Sequence, residues 1–343
     1  IDIQIRKIEE DNLKQTTHTT NTMKEKFSLL KAINDVANNR QLDERAQEVV
    51  TAGISEMRKA GQSYSGQIVL PIEERANIQA TVATAGQENV AEDKLGILEP
   101  LRASLVLAQA GASYMTGLVG NVSIPVYSGS NVGWAGEVTA ASDGAGTFSE
   151  VNLEPKRLTA YIDVSKQFLI QDSNSAEEML KRDIVSAISN KLEATILGTA
   201  AGSATQPAGL LNGVTADTAA VTYTDFVNME ATLGEKNVRG DIKFIVSPSA
   251  KAVLKSTAKN QNSFIMEGNE VNGYPVLCTS AVAGKGIVYG NFADLVIGQW
   301  GGIDLTVDPY TQAANGKVRL VINAYFDAKP RRTEAFVKKV LKA

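Results

Sequence analysis

Few residues in this chain of 343 are equipped for chemistry. His18 is the only histidine and Cys278 the only cysteine. One of each cannot make a zinc-holding set, and no Ser-His-Asp or Cys-His couple is credible with the histidine in the polar stretch TTHTTNT. Cys278 lies in the apolar run GYPVLCTS, where it reads as a small buried hydrophobe and not as a reactive thiol. AGKGI around Lys285 resembles a phosphate loop, but the leading glycine is missing and Gly286 stands where Ser or Thr would hold magnesium. GSNVGWAG and SDGAG are glycine-rich without the strand, turn and helix order of a dinucleotide site. The acid pairs Glu73/Glu74 and Glu177/Glu178 are sequence neighbours whose carboxyls diverge. Asn121 opens an Asn-Val-Ser sequon that reads as chance. The chain is therefore expected to be no enzyme, with no catalytic residue, cofactor or metal.

Composition narrows the classes further. A formal net charge of -4 argues against a dedicated nucleic-acid binder, which carries a basic excess. The C-terminal stretch AKPRRTEAFVKKVLKA departs from this balance, because Lys329, Arg331, Arg332, Lys338, Lys339 and Lys342 outnumber Glu334. It reads either as a solvated basic end or as a face turned towards polyanion. No apolar run approaches the ~20 residues of a membrane-spanning helix, and no signal-peptide pattern is read. The first residue is Ile1 and not Met, which fits a processed product or a trimmed sequence alike.

The elements that would position such residues follow from periodicity. Residues 1–62 are dense in charges of both signs. Their apolar positions have helical spacing, through Phe27, Leu30, Ile33 and Val36 and then Leu42, Ala46, Val49 or Val50, Gly53 and Met57. Residues 63–100 read as an extended connection. Val122, Ile124 and Val126 alternate with polar positions, as do Leu158, Ala160, Ile162 and Val164, and the two runs are expected to pair as legs of a hairpin. Between them lies NVSIPVYSGSNVGWAGEVTAASDGAGTFSE, too poor in large apolar residues for a core, inside a gap between Arg102 and Lys156 that holds no Lys or Arg. A loop of that length is either disordered or ordered by something outside the chain. SAEEMLKRDIVSAISNKLEATILG predicts a long helix, with a Ser175/Glu178 capping box, a stripe of Leu180, Ile184, Ile188, Leu192 and Ile196, and Gly198 as the stop. Beyond it helix and strand alternate, with a helix capped by Thr224 and another opening at Pro248, and the last two strands return to the first part of the chain. The class is α+β with one inserted domain.

That order resembles the major capsid proteins of tailed phages, the HK97-like fold. The likeness is carried by AYIDVSKQFLIQDS leading into the long helix, by QPAGLLNG, by NGYPVLCT, and by GNFADLVIGQWGGIDLTVD followed by the terminal FVKK. The resemblance implies an N-terminal arm over 1–94, a peripheral domain over 95–221 with an extended loop at 121–157 and a spine helix at 175–198, an axial domain over 222–310, and a return to the peripheral domain at 311–343. It implies self-assembly into hexamers and pentamers of an icosahedral virion shell around packaged double-stranded DNA, built in the host bacterial cytoplasm. A portal, a scaffolding protein or maturation protease and a decoration protein would be the partners, with no membrane. Val122, Ile124, Val126, Tyr127, Trp134 and Phe148 would grip a neighbouring subunit, and the six basic C-terminal residues could face DNA. Some relatives join a loop Lys to an Asn of the next subunit; this loop has no Lys, so a non-covalent shell is expected. An encapsulin-type bacterial nanocompartment shell is the alternative, disfavoured by the charged region 1–62.

Overall fold

The computed structural model describes residues 27–71 and 105–342, apart from 171–173 and some positions between 128 and 142. Two helices come first, α1 (Leu29–Ala37) and α2 (Glu44–Lys59), each opened by a side chain that accepts from the backbone three residues on: Ser28 from Lys31 and Asp43 from Ala46. They bury Leu29, Leu30, Ala32 and Ile33, then Ala46, Val49, Val50, Gly53 and Met57; most of the predicted stripe is there, with Leu29 and Ala32 added and Val36 and Leu42 only half-buried. Gly53 has its own reason to be there. A Cβ on it would lie 2.3 Å from the carbonyl oxygen of Val69, so β1 (Ile68–Leu70) packs on the helix backbone itself.

There follow α3 (Val106–Ala110), β2 (Ser113–Met115), β3 (Val122–Tyr127), β4 (Phe148–Leu153), β5 (Lys156–Ser165), α4 (Lys166–Ile170) and the long α5 (Asn174–Ile196). Leu180, Ile184, Ile188, Leu192 and Ile196 of α5 are all buried. At ~1.5 Å per residue its 23 residues make a rod of about 34 Å. The side chains of the expected Ser175/Glu178 capping box lie outside the described residues. After Gly198 the QPAGLLNG link doubles back, and Leu210 donates its N–H to the carbonyl of Ile196 at 2.6 Å.

The remainder is α6 (Tyr223–Glu235), β6 (Ile242–Val246), α7 (Pro248–Ser256), β7 (Ala258–Asn260), β8 (Ser263–Phe264), β9 (Glu270–Val271), β10 (Tyr274–Cys278), β11 (Gly286–Asn291), β12 (Leu295–Asp308), β13 (Lys317–Pro330) and β14 (Phe336–Val340). α7 opens as predicted, with Pro248 in its first turn and Ser247 as cap. α6 starts two residues before the expected Thr224: Thr222 is its cap, in a box with Asp225.

Two sheets organise these strands. The longer runs β1-β12-β13-β5, with β2 parallel to β12; the other runs β14-β11-β6-β10-β9, with β10 parallel to β6 and α7 in the crossover between them. Around β6 the second sheet is filled by rings, Phe244 stacking on Tyr289 with centroids 4.1 Å apart and Phe226 and Tyr274 edge-on to Phe244.

Two pairings correct the expected ones. The run 158–164 is not a hairpin leg: β5 pairs with β13 from Ser165↔Lys317 to Lys156↔Phe326, and the partner of β3 is β4. Alternation marks a strand but not its neighbour. The last segment also divides differently. β12, expected in the inserted domain, lies beside β13 in the longer sheet, whereas β14, expected to return with β13, pairs with β11 in the other. The turn at 331–335, where the N–H of Arg331 meets the carbonyl of Asp294, sends the chain across from one sheet to the other.

Candidate assembly surface

The β3–β4 hairpin stands apart from both sheets as a two-stranded ribbon, in register from Val122↔Leu153 to Tyr127↔Phe148. Its root rests on a small apolar cluster of Leu153, Val296 and Trp300, against which Val122, Ile124, Met115, Leu118 and Tyr325 pack. Trp300 donates its Nε1–H to the carbonyl of Gly120 at 2.6 Å, which holds the entry of β3. Val122 and Ile124, expected to grip a neighbour, therefore face their own chain, and Val126 is half-buried.

The tip is different. Tyr127 and Phe148 face each other across the last rung with ring centroids 4.7 Å apart, yet are 46% and 77% exposed. Trp134 is fully exposed, and so nearly is Val132, which the sequence reading missed because a lone Val in a loop carries no signal. The hydroxyl of Tyr127 shares a hydrogen bond with Ser130 and accepts one from the N–H of Gly146. A Cβ on Gly146 would lie 2.2 Å from the carbonyl oxygen of Gly129, so this glycine serves the close approach of the two backbones just beyond the last rung of the ribbon. The ribbon carries Glu137, Asp143, Glu150 and Glu154 and no compensating Lys or Arg.

The basic C-terminal residues are not gathered on one face. Lys329 donates its ammonium to the carbonyl of Asn152 at the hairpin root. Lys339 bridges Asp217 and Asp225 at 2.9 Å each; burial works against its charge, but the two carboxylates outweigh burial and hold its pKa above the usual lysine range. Lys338, its neighbour on β14, projects to the opposite side of the strand, where burial pushes its pKa down. Arg332 reaches the carbonyl of Lys236 at 3.4 Å, and Arg331, Arg332 and Lys342 are exposed.

The model of the phage capsid family matches residues 93–341. The chain belongs to that family. It is 30% identical over 251 residues to the major capsid protein of Halomonas phage phiHAP-1, a match over 69% of this chain and 41% of the relative, so it spans about two fifths of that relative's length. The capsid of a native GTA particle superposes with a TM-score of 0.56 at 17% identity, covering 78% of this chain and 97% of that one. The chain from Gordonia phage Cozz gives 0.53 at 14%, over 69% and 86%. That from Mycobacterium phage Bobi gives 0.54 at 15%, over 79% and 95%. These likenesses establish the HK97-like α+β fold.

In this member of the phage capsid family, buried charge sits at joints between elements. Asp327 of β13, fully buried, accepts from the ammonium of Lys156 at 3.0 Å, from the N–H of Glu154 at 3.1 Å and from the N–H of Ala328 at 3.0 Å. Glu193 of α5 accepts from the N–H of Leu107 at 3.0 Å and from Thr279 at 3.4 Å, tying the long helix to the start of α3 and to the end of β10. Burial raises its pKa, and the backbone donors only partly offset that. Asp304, beside the irregularity between Trp300 and Asp304 in β12, is also raised by burial, although Asn323 and Thr306 donate to it. None of these groups was legible beforehand, because each lies next to an apolar stripe and looks like an ordinary surface charge.

Proposed function

We propose that this chain is the major capsid protein of a tailed phage, copies of which close into hexamers and pentamers of an icosahedral shell around packaged double-stranded DNA. The observation that carries the reading is the ribbon tip, where Tyr127, Trp134 and Phe148 stand exposed in a chain of the phage capsid family. A two-stranded ribbon is marginal alone, and aromatic side chains with open faces are the usual anchors of protein contacts. Laid on the next copy in a ring, the ribbon would be ordered and its rings covered. The tip residues Tyr127, Trp134 and Phe148 then form the inter-subunit contact, while Val122 and Ile124 seat the ribbon on its own subunit. Particles would assemble in the host bacterial cytoplasm with a portal, a scaffolding protein or maturation protease and a decoration protein as partners. Arg331, Arg332 and Lys342 are the cations left to meet DNA, by non-specific charge contact. Phage and GTA capsids among the similar proteins favour this over a nanocompartment shell.

The test is assembly of Y127S/W134S/F148S beside the unaltered chain, imaged by negative stain. The unaltered chain is expected to form rings or shells, and the triple variant to remain a folded small species with the same far-ultraviolet dichroism. Shells from the variant at undiminished yield would remove the ribbon tip from the interface.

A further inference from the structure

At its β3 end the ribbon is connected to β2 through residues 116–121; at its β4 end it joins the longer sheet through two residues, Glu154 and Pro155, between Leu153 and the start of β5 at Lys156. Two kinds of contact hold this link. The cluster of Leu153, Val296 and Trp300 is apolar and non-directional apart from the Trp300 Nε1–H bond to Gly120, which fixes the entry of β3 but does not aim the β4 end. The carboxylate of Asp327 is directional, since its Oδ2 receives both the N–H of Glu154 and the ammonium of Lys156. Asp327 lies one residue past the last β5–β13 rung, Lys156↔Phe326, so it acts on the link and not on the ladder. Two residues further on, Lys329 ties the carbonyl of Asn152 to the same strand.

Stability alone is a poor reason for this arrangement. A buried ion pair is often replaced by apolar residues at no cost, whereas removing one partner leaves an uncompensated charge. The ten-rung ladder and the apolar foot already hold the sheet and the root together. We propose that Asp327 is the positioning residue of the ribbon: with Lys156 it locks the Glu154-Pro155 link and sets the direction in which the ribbon leaves its subunit. This rests on the reading above, in which the ribbon reaches a neighbouring copy, and it assigns that reach to a fixed charge latch at the root.

The experiment is hydrogen exchange on the full unassembled chain for D327N and K156M, with the apolar double variant K156M/D327L in case a lone buried charge prevents folding. The amides of 122–127 and 148–154 are expected to exchange at least about tenfold faster than in the unaltered chain, while those of 158–165 and 317–325 stay near their original rates. Unchanged exchange in the ribbon, or ribbon and ladder loosening together in all three variants, would overturn the proposal. Negative stain of the same samples separates the two readings. Loosened ribbons with diminished shells support both, and loosened ribbons with shells at full yield uphold the latch while sinking the reach to a neighbour.

Discussion

At Gly209 the chain meets itself. A Cβ there would lie 2.1 Å from the carbonyl oxygen of Gly198, because the link after α5 folds back so that Leu210 and Leu211 donate to Ile196 and Gly198. The obstacle is backbone, which cannot rotate aside as a side-chain tip would. Gly209→Ala should therefore cost about 1–3 kcal/mol, the range of overpacked interior sites. Gly234, exposed near the end of α6 with nothing within 4 Å of its would-be Cβ, makes the opposite case. Gly234→Ala should add about 0.5–1 kcal/mol, since only chain entropy changes. Urea unfolding of the unassembled subunit measures both, and equal effects of the two substitutions would show that the QPAGLLNG fold-back is not set by Gly209. The sequence displayed both glycines alike; only the path of the backbone separates them.

Among the elements, the joint at Glu193 gives a pH dependence whose sign is fixed. Its raised pKa means that the native state holds a proton where the unfolded chain has released it. The contribution of Glu193 to stability thus falls as pH rises from the ordinary carboxylate range through the raised value, and is recovered on acidification. Asp225 runs the other way: burial opposes its charge, but Thr222 and Lys339 outweigh burial, so its stabilisation is lost as pH falls below the usual aspartate range. The comparison of unaltered chain with E193Q isolates the first effect, because Asp225 is common to both. Thermal unfolding should show E193Q gaining on the unaltered chain as pH rises out of the ordinary glutamate range, and a pH-independent difference would mean that Glu193 titrates as in the unfolded chain. The helix that carries Glu193 was legible from its stripe, since a period near four over five residues has few other readings. Strand partners were not. β4 reads FSEVNL, with only Val151 and Leu153 of its apolar residues buried to any degree, so its alternation was too weak to compete with that of β5 for the role of second leg. The exposed aromatics of the ribbon could be named from composition, whereas the latch could not, because Lys156 and Asp327 are 171 positions apart and meet only through the β5–β13 ladder.

For the molecule as a whole, the division of labour along the ribbon decides how copies would hold one another in the proposed shell. Its root is committed to its own subunit through Val122, Ile124, Leu153 and Trp300, and its tip offers Tyr127, Phe148, Trp134 and Val132. From 103 to 155 the chain contains no lysine, so no amine on the ribbon can attack an Asn or Gln side chain of a neighbour to form an isopeptide bond. What remains is apolar area, hydrogen bonds from the open strand edges, and the charges of Glu137, Asp143, Glu150 and Glu154. A specific contact of this kind needs on the order of 1,000 Å² or more of buried surface, within reach of a ribbon that lies along a neighbour and out of reach of one that touches it only at the tip. Mature particles boiled in detergent should therefore run entirely at the mass of one chain, and a ladder of dimers, pentamers and hexamers that survives boiling and reductant would show a covalent link made elsewhere. Because Cys278 is the only thiol and is half-buried on β10, the pattern should be the same with and without reductant.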